Sequence, residues 1–171
     1  PDVLRYVRAG RHVVVLRTFS KIQGLANLRI GYGLAAPEII EVLQKARQPF
    51  NANGLAQAGA LAGLRDKAHM DETRRVTREG RDFLQAEFLD MGLEFVPSHA
   101  NFVLVRVGDG KKVFDALLRR GIIVRAMGSY GLPEWIRVSV GTMPQNMVFI
   151  AALRELDRGG VIDRGVVAKV S

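Results

Sequence analysis

Apolar and polar positions along the chain fall into two regimes. In the first half, short apolar runs are separated by helical patterns. Val13-Val14-Val15-Leu16 is such a run and predicts a buried strand over residues 11–16. Leu28 to Ala35 predicts a second short strand, with Gly31 and Gly33 allowing close backbone approach. Pro37 opens a helix over 38–45, because proline suits the first helical turn. Asn51 or Asn53 can cap the next helix, Leu55–Leu64, whose alanines suit tight packing. A long charged helix is expected from Asp71 to Asp90. Val76, Phe83, Leu84 and Phe88 form its apolar side. Arg74, Arg75, Arg78 and Arg81 read as a solvated face with Glu72, Glu79 and Asp82, or as a surface for something acidic.

After Gly92 the pattern changes to short strands over 94–96, 101–106, 122–125 and 136–140. Helices over 111–119 and 145–157 alternate with them, and Gly108, Gly110, Gly121 and Gly128 mark turns. This is the pattern of a compact α+β unit. Residues 158–171 lack periodicity and read as a tail or accessory strand of unknown role.

Composition narrows the function classes. At 171 residues and 48% hydrophobic, the chain can bury a sizeable core as one ordinary domain or two small halves. The absence of cysteine excludes disulfides and thiolate metal sites, and fits a reducing compartment such as the cytoplasm. No apolar run approaches the roughly 20 residues of a membrane span. The net charge of +8 raises the question of nucleic acid. The basic residues are scattered, however, and no aromatics interleave a basic patch, so neither nucleic acid nor membrane is expected as a partner. His12, His69 and His99 sit in different segments without ligand spacing, so no metal site is expected. No Ser-His-Asp arrangement stands out either.

The candidate chemistry lies where the first strand ends. Thr18-Phe19-Ser20-Lys21 places a lysine at a strand exit with hydroxyls beside it, and Arg29 follows within loop reach. Such a set can hold a phosphorylated aldehyde: Lys21 as the imine-forming amine, Thr18, Ser20 and Arg29 on the phosphate. That is pyridoxal-phosphate chemistry. The lysine must be deprotonated to react, and the positive field of Arg29 disfavours a second cation nearby. Tyr32 reads as packing. Arg137 lies within the apolar run Trp135-Ile136-Arg137-Val138, a position that asks for a ligand or a partner charge. Arg125 closes the apolar run Ile122-Ile123-Val124.

The segment from Thr18 to Tyr32, with Gly24-Leu25-Ala26-Asn27-Leu28-Arg29-Ile30-Gly31, resembles the cofactor-lysine segment of fold-type I aminotransferases. Arg47–Asn53, Ser98–Val105, Gly121–Arg125 and Tyr130–Thr142 follow in family order. Together they are similar to the histidinol-phosphate aminotransferase family over roughly residues 11 to 156.

The resemblance implies an α/β fold: the C-terminal part of a large pyridoxal-phosphate-binding domain (1–70), a linking helix (71–91) and a small α+β domain (92–157), followed by the tail (158–171). It implies amino transfer from histidinol phosphate to 2-oxoglutarate, giving imidazole acetol phosphate and glutamate, by a cytoplasmic homodimer. Lys21 would be catalytic, Arg137 would receive the substrate carboxylate, and Arg125 the substrate phosphate. Asn101 either lines the substrate pocket or simply starts a strand. The family's remaining cofactor-binding groups would lie upstream, so these 171 residues alone are expected to be inactive. Aromatic-amino-acid aminotransferases and threonine-phosphate decarboxylases share the lysine motif and stand as alternatives, as does a non-catalytic piece of such an enzyme.

Overall fold

The computed structural model describes residues 2–163. The chain divides into two compact units, one ending at Thr73 and the other beginning at Arg74.

The first unit opens with a short helix, α1 (Leu4–Arg8), which no sequence pattern announced. Strands β1 (Val15–Thr18) and β2 (Gly31–Leu34) then pair antiparallel, with Val15 opposite Leu34 and Thr18 opposite Gly31. The strand expected over 11–16 is thus displaced toward Thr18. The cause is its partner: β2 cannot begin before Gly31, since Ala26–Leu28 form a 3-10 turn and Arg29 is left-handed. A Cβ on Gly31 would stand 2.6 Å from the Arg17 carbonyl oxygen, so glycine permits the close approach of the two strands.

Helix α2 (Pro37–Ala46) carries proline in its first turn. In α3 (Gly54–Arg65), Asn53 is the cap, its Oδ1 accepting from the Ala56 N–H at 2.8 Å. Asn51 instead accepts from Arg47 Nη1 at 3.1 Å. Helix α4 (Lys67–Asp90) starts four residues before the expected Asp71, because Asp66 Oδ1 accepts from the His69 N–H at 3.0 Å and caps an earlier turn.

The second unit, which takes in most of α4, is built on an antiparallel sheet in the order β3 (Phe95–Val96), β4 (Phe102–Arg106), β6 (Trp135–Ser139), β5 (Arg125–Ala126). Its core joins Leu84 and Phe88 of α4 to Val103 and Val105 of β4 and to Ile136 and Val138 of β6. Val113 and Leu117 of α5 (Gly110–Leu118) complete it with Phe149 and Leu153 of α6 (Met143–Arg158). Alternation along β4 and β6 turns those valines and isoleucine inward and leaves Leu104 and Arg137 on the opposite face.

Strand β5 departs from the expected 122–125. The Ile122 N–H bonds back to the Leu117 carbonyl at 3.0 Å, closing the end of α5, so pairing begins only at Arg125. Ile122 and Val124 still pack on the core. Beyond α6, Val161 and Ile162 also pack there, and the Asp163 N–H donates to the Val107 carbonyl at 3.1 Å. The rest of the expected tail, 164–171, lies outside the described residues. Among the described residues, no helix is long and apolar enough to cross a membrane.

One contact fixes the turn after β6. Asn146 is buried; its Oδ1 accepts from the Gly141 N–H at 2.9 Å and its Nδ2 donates to the Gly141 carbonyl at 3.1 Å. Gly80 of α4 lies against it, and a Cβ there would stand 2.6 Å from Asn146 Nδ2 and 2.7 Å from Val140 Cγ1. Alanine normally favours a helix over glycine by about 1 kcal/mol. Overpacking costs ~1–3 kcal/mol, and here it also disturbs a buried hydrogen-bonded amide. Gly80→Ala is therefore expected to lower the denaturation midpoint, with a net loss of about 1–2 kcal/mol. A variant as stable as the parent would show that α4 has room to spare.

Candidate active-site groups

In the first unit, β1 ends at Thr18 and the chain loops through to Ile30. Phe19 is buried and closes the loop at its base: its N–H donates to the Ile30 carbonyl at 3.3 Å, and its carbonyl accepts from the Leu25 N–H at 2.9 Å. Tyr32 packs on it with ring centroids 5.6 Å apart. The Thr18 hydroxyl donates to Ser20 Oγ at 2.8 Å and accepts from the Ser20 N–H at 3.0 Å. This side-chain turn sets the two hydroxyls together immediately before Lys21. Lys21 itself is exposed, and its carbonyl accepts from the Gly24 N–H at 2.9 Å to close the following turn.

Arg29 is left-handed, at φ 52° and ψ 52°. For a residue with a Cβ this conformation costs about 1–2 kcal/mol, and such strain concentrates at functional sites. Arg29 Nη1 donates to the Ala26 carbonyl at 2.8 Å, which orients the guanidinium. Two hydroxyls, a guanidinium and an exposed primary amine on one loop form a donor set that fits a phosphorylated aldehyde.

In the second unit, the register places Arg125 of β5 directly opposite Arg137 of β6. Like charges facing each other across a sheet are destabilising unless an anion joins them. Arg137 stands over the Phe102 ring, its guanidinium carbon 5.0 Å from the centroid. Its Nε is buried and has no hydrogen-bond partner among the described residues. Arg125 is exposed, and its Nη1 donates to Tyr130 Oη at 3.1 Å.

Other arginines of this unit are matched by acids. Arg106 bonds Glu134 at 2.7 Å, a contact that raises the arginine pKa and lowers that of the carboxyl. Arg154 bonds Asp90 at 2.7 Å and Glu87 at 2.8 Å, and its pKa is raised by both. Among the described residues, Arg125 and Arg137 have no such carboxylate. Asn101 is exposed, and its carbonyl accepts from the Val140 N–H at 2.9 Å, extending the β4–β6 ladder by one residue.

The structure thus groups Thr18, Ser20, Lys21 and Arg29 in one unit, and Arg125, Arg137 and Asn101 in the other. Sequence reasoning singled out both arginines of the sheet but not their adjacency, nor Phe102 and Tyr130 as their supports. Both aromatics lie inside the motif segments Ser98–Val105 and Tyr130–Thr142, and that placement was the available signal.

A histidinol-phosphate aminotransferase of Akkermansia muciniphila is 54% identical over 156 residues, which cover 91% of this chain and 43% of that protein. The chain therefore spans less than half the length of the curated relative it matches. A crystal structure of histidinol-phosphate aminotransferase from Sinorhizobium meliloti, in complex with pyridoxal-5'-phosphate, matches with a TM-score of 0.76 and 33% identity, covering 86% of this chain and 41% of that one. The L-threonine-O-3-phosphate decarboxylase of Porphyromonas gingivalis matches with a TM-score of 0.75 and 26% identity, covering 87% and 48%. The family model of aminotransferases of class I and II matches residues 3–153, and the chain belongs to that family.

Proposed function

We propose that the protein carrying this chain is a pyridoxal-phosphate-dependent aminotransferase of histidine biosynthesis. It would convert histidinol phosphate and 2-oxoglutarate to imidazole acetol phosphate and glutamate. The observation that carries the reading is the Arg125–Arg137 pair, two arginines directly opposite in the sheet register and without a carboxylate partner among the described residues, one with an orphaned buried Nε. The two substrates present different anions near the reacting amine. Glutamate has a carboxylate on Cα itself, whereas histidinol phosphate has a phosphate reached through a methylene. Neighbouring arginines on one sheet face can serve both. Arg137 takes the carboxylate in a bidentate contact, and Arg125 adds charge for the bulkier dianion.

On the cofactor side, the Thr18 and Ser20 hydroxyls and the Arg29 guanidinium would hold the phosphate, and Lys21 Nζ is the point of covalent attachment. When bound, pyridoxal phosphate supplies an electron sink for the pair left when the substrate Cα–H bond breaks. Lys21 Nζ, freed as an amine, takes the proton from the substrate Cα and gives it up again to complete the transfer. Arg137 holds the substrate through the anion it grips. Asn101, at the start of β4, is assigned to the substrate pocket on the strength of the resemblance. The same reading includes a homodimer in the cytoplasm, with which the cysteine-free sequence is compatible. It also carries the division into a large-domain part (1–70), linking helix (71–91) and small domain (92–157).

A phosphate-specific decarboxylase is the second reading. The match to the Porphyromonas enzyme is nearly as close in fold, and an arginine pair also suits a substrate with both carboxylate and phosphate. Release of carbon dioxide from threonine phosphate, without amino transfer to 2-oxoglutarate, would favour it.

In the full-length protein, borohydride is expected to trap the cofactor on Lys21. Lys21→Ala should abolish that adduct and slow the glutamate half-reaction by about 10²–10⁴-fold. Trapping at another residue with normal turnover would refute the assignment. Arg137→Ala should weaken glutamate binding by about 30- to several-thousand-fold, the cost of unpairing a desolvated charge. An unchanged glutamate half-reaction would remove Arg137 from the site. Arg125→Ala should impair histidinol phosphate at least about tenfold more than glutamate or phenylalanine, because only the first offers a phosphate. Equal losses on all three in a substrate profile would mark Arg125 as structural.

A further inference from the structure

The loop that carries Lys21 is tied down by a side chain with no part in the chemistry above. His69 lies in the first turn of α4, where Asp66 Oδ1 accepts from its N–H at 3.0 Å. Its ring Nε2 stands 3.1 Å from the carbonyl oxygen of Ile22, the residue directly after Lys21. A carbonyl only accepts, so Nε2 carries the proton in this contact. The Thr73 hydroxyl, one helical turn on, stands 3.5 Å from the same nitrogen. The neighbouring Gln23 donates through its Nε2 to Met70 Sδ at 3.7 Å, and a Cβ built on Gly63 would lie 3.2 Å from its Cγ. The Lys21 carbonyl is already engaged by Gly24.

We infer that His69 is a positioning residue for Lys21, fixing through the Ile22 carbonyl the backbone from which the lysine side chain springs. The inference rests on Lys21 being the cofactor-bearing lysine. The Lys21 side chain is exposed, and a long, freely rotating stem gives no precision of its own. The position of Nζ is then set by the backbone at its root. All four residues of the turn Lys21–Gly24 are engaged, and the His69 bond holds the backbone of the turn from outside the loop.

The test compares His69→Phe, which fills the space but cannot donate, with His69→Gln, whose amide can. Both are made in the full-length protein. In cofactor-free protein, amide hydrogen exchange at residues 22–25 should rise about three- to tenfold in His69→Phe, the worth of one neutral hydrogen bond. With pyridoxal phosphate added, the pH midpoint of the absorbance band of the lysine-bound cofactor should move by about half to one pH unit in His69→Phe. His69→Gln should restore both to near the parent value. Faster exchange with an unmoved midpoint would reduce His69 to a loop brace and overturn the positioning role. So would a His69→Gln variant as impaired as His69→Phe, or a His69→Phe variant indistinguishable from the parent. Parent protein in which borohydride traps no cofactor on Lys21 would instead overturn the cofactor-lysine reading, and the His69 role with it.

Discussion

The register of β6 against its two neighbours is the constraint on which the second unit depends. With Val105 opposite Ile136 and Val103 opposite Val138, one face of the sheet closes over the core. The same register puts Arg137 between Leu104 and Arg125 on the other face. A slip of one residue would invert every side chain of the strand, burying a guanidinium and exposing the isoleucine. Burial of the apolar face therefore fixes the position of the charge. Arg137 can remain beside another arginine because the strand that carries it is held by the core, not by the arginine's own contacts.

The charged residues of this unit divide into two kinds. Arg106 and Arg154 are matched to carboxylates, and each such contact is internally satisfied. Arg137 rests on the Phe102 ring and Arg125 on the Tyr130 phenol, neither of which cancels a charge. A chain that matches some arginines with acids and leaves two of them facing each other carries a local electrostatic cost that a bound anion would relieve. The first unit shows the same signature in its backbone. Arg29 occupies a left-handed conformation that glycine would accept more cheaply, and the loop closed by Phe19 holds it there.

Several elements were legible because their signals are local. Pro37, Asn53 and the apolar side of α4 mark their helices through backbone chemistry that needs no distant partner. The alternation in β4 and β6 likewise places those strands to within one residue. The failures share a cause. Strand β1 moved toward Thr18 because its partner begins only at Gly31. Strand β5 shrank to Arg125–Ala126 because the close of α5 claims Ile122 first. Helix α4 began early because Asp66 offered a cap that hydrophobic periodicity does not register. In each case a backbone conformation or a hydrogen bond outside the apolar pattern decided the boundary.

The candidate site divides along the same line. The sequence by itself determined which side chains could do chemistry: a lysine behind two hydroxyls, an arginine after it, and an arginine inside an apolar strand. These follow from residue type and short spacing, which survive without a fold. Only the tertiary structure decided that Arg125 faces Arg137, that Phe102 lies beneath it, that Arg29 is left-handed, and that His69 reaches the carbonyl after Lys21. Those contacts join residues brought together by strand pairing, loop closure and a helix end. Their partners are chosen by the burial of the whole chain, and no short stretch of sequence encodes that choice.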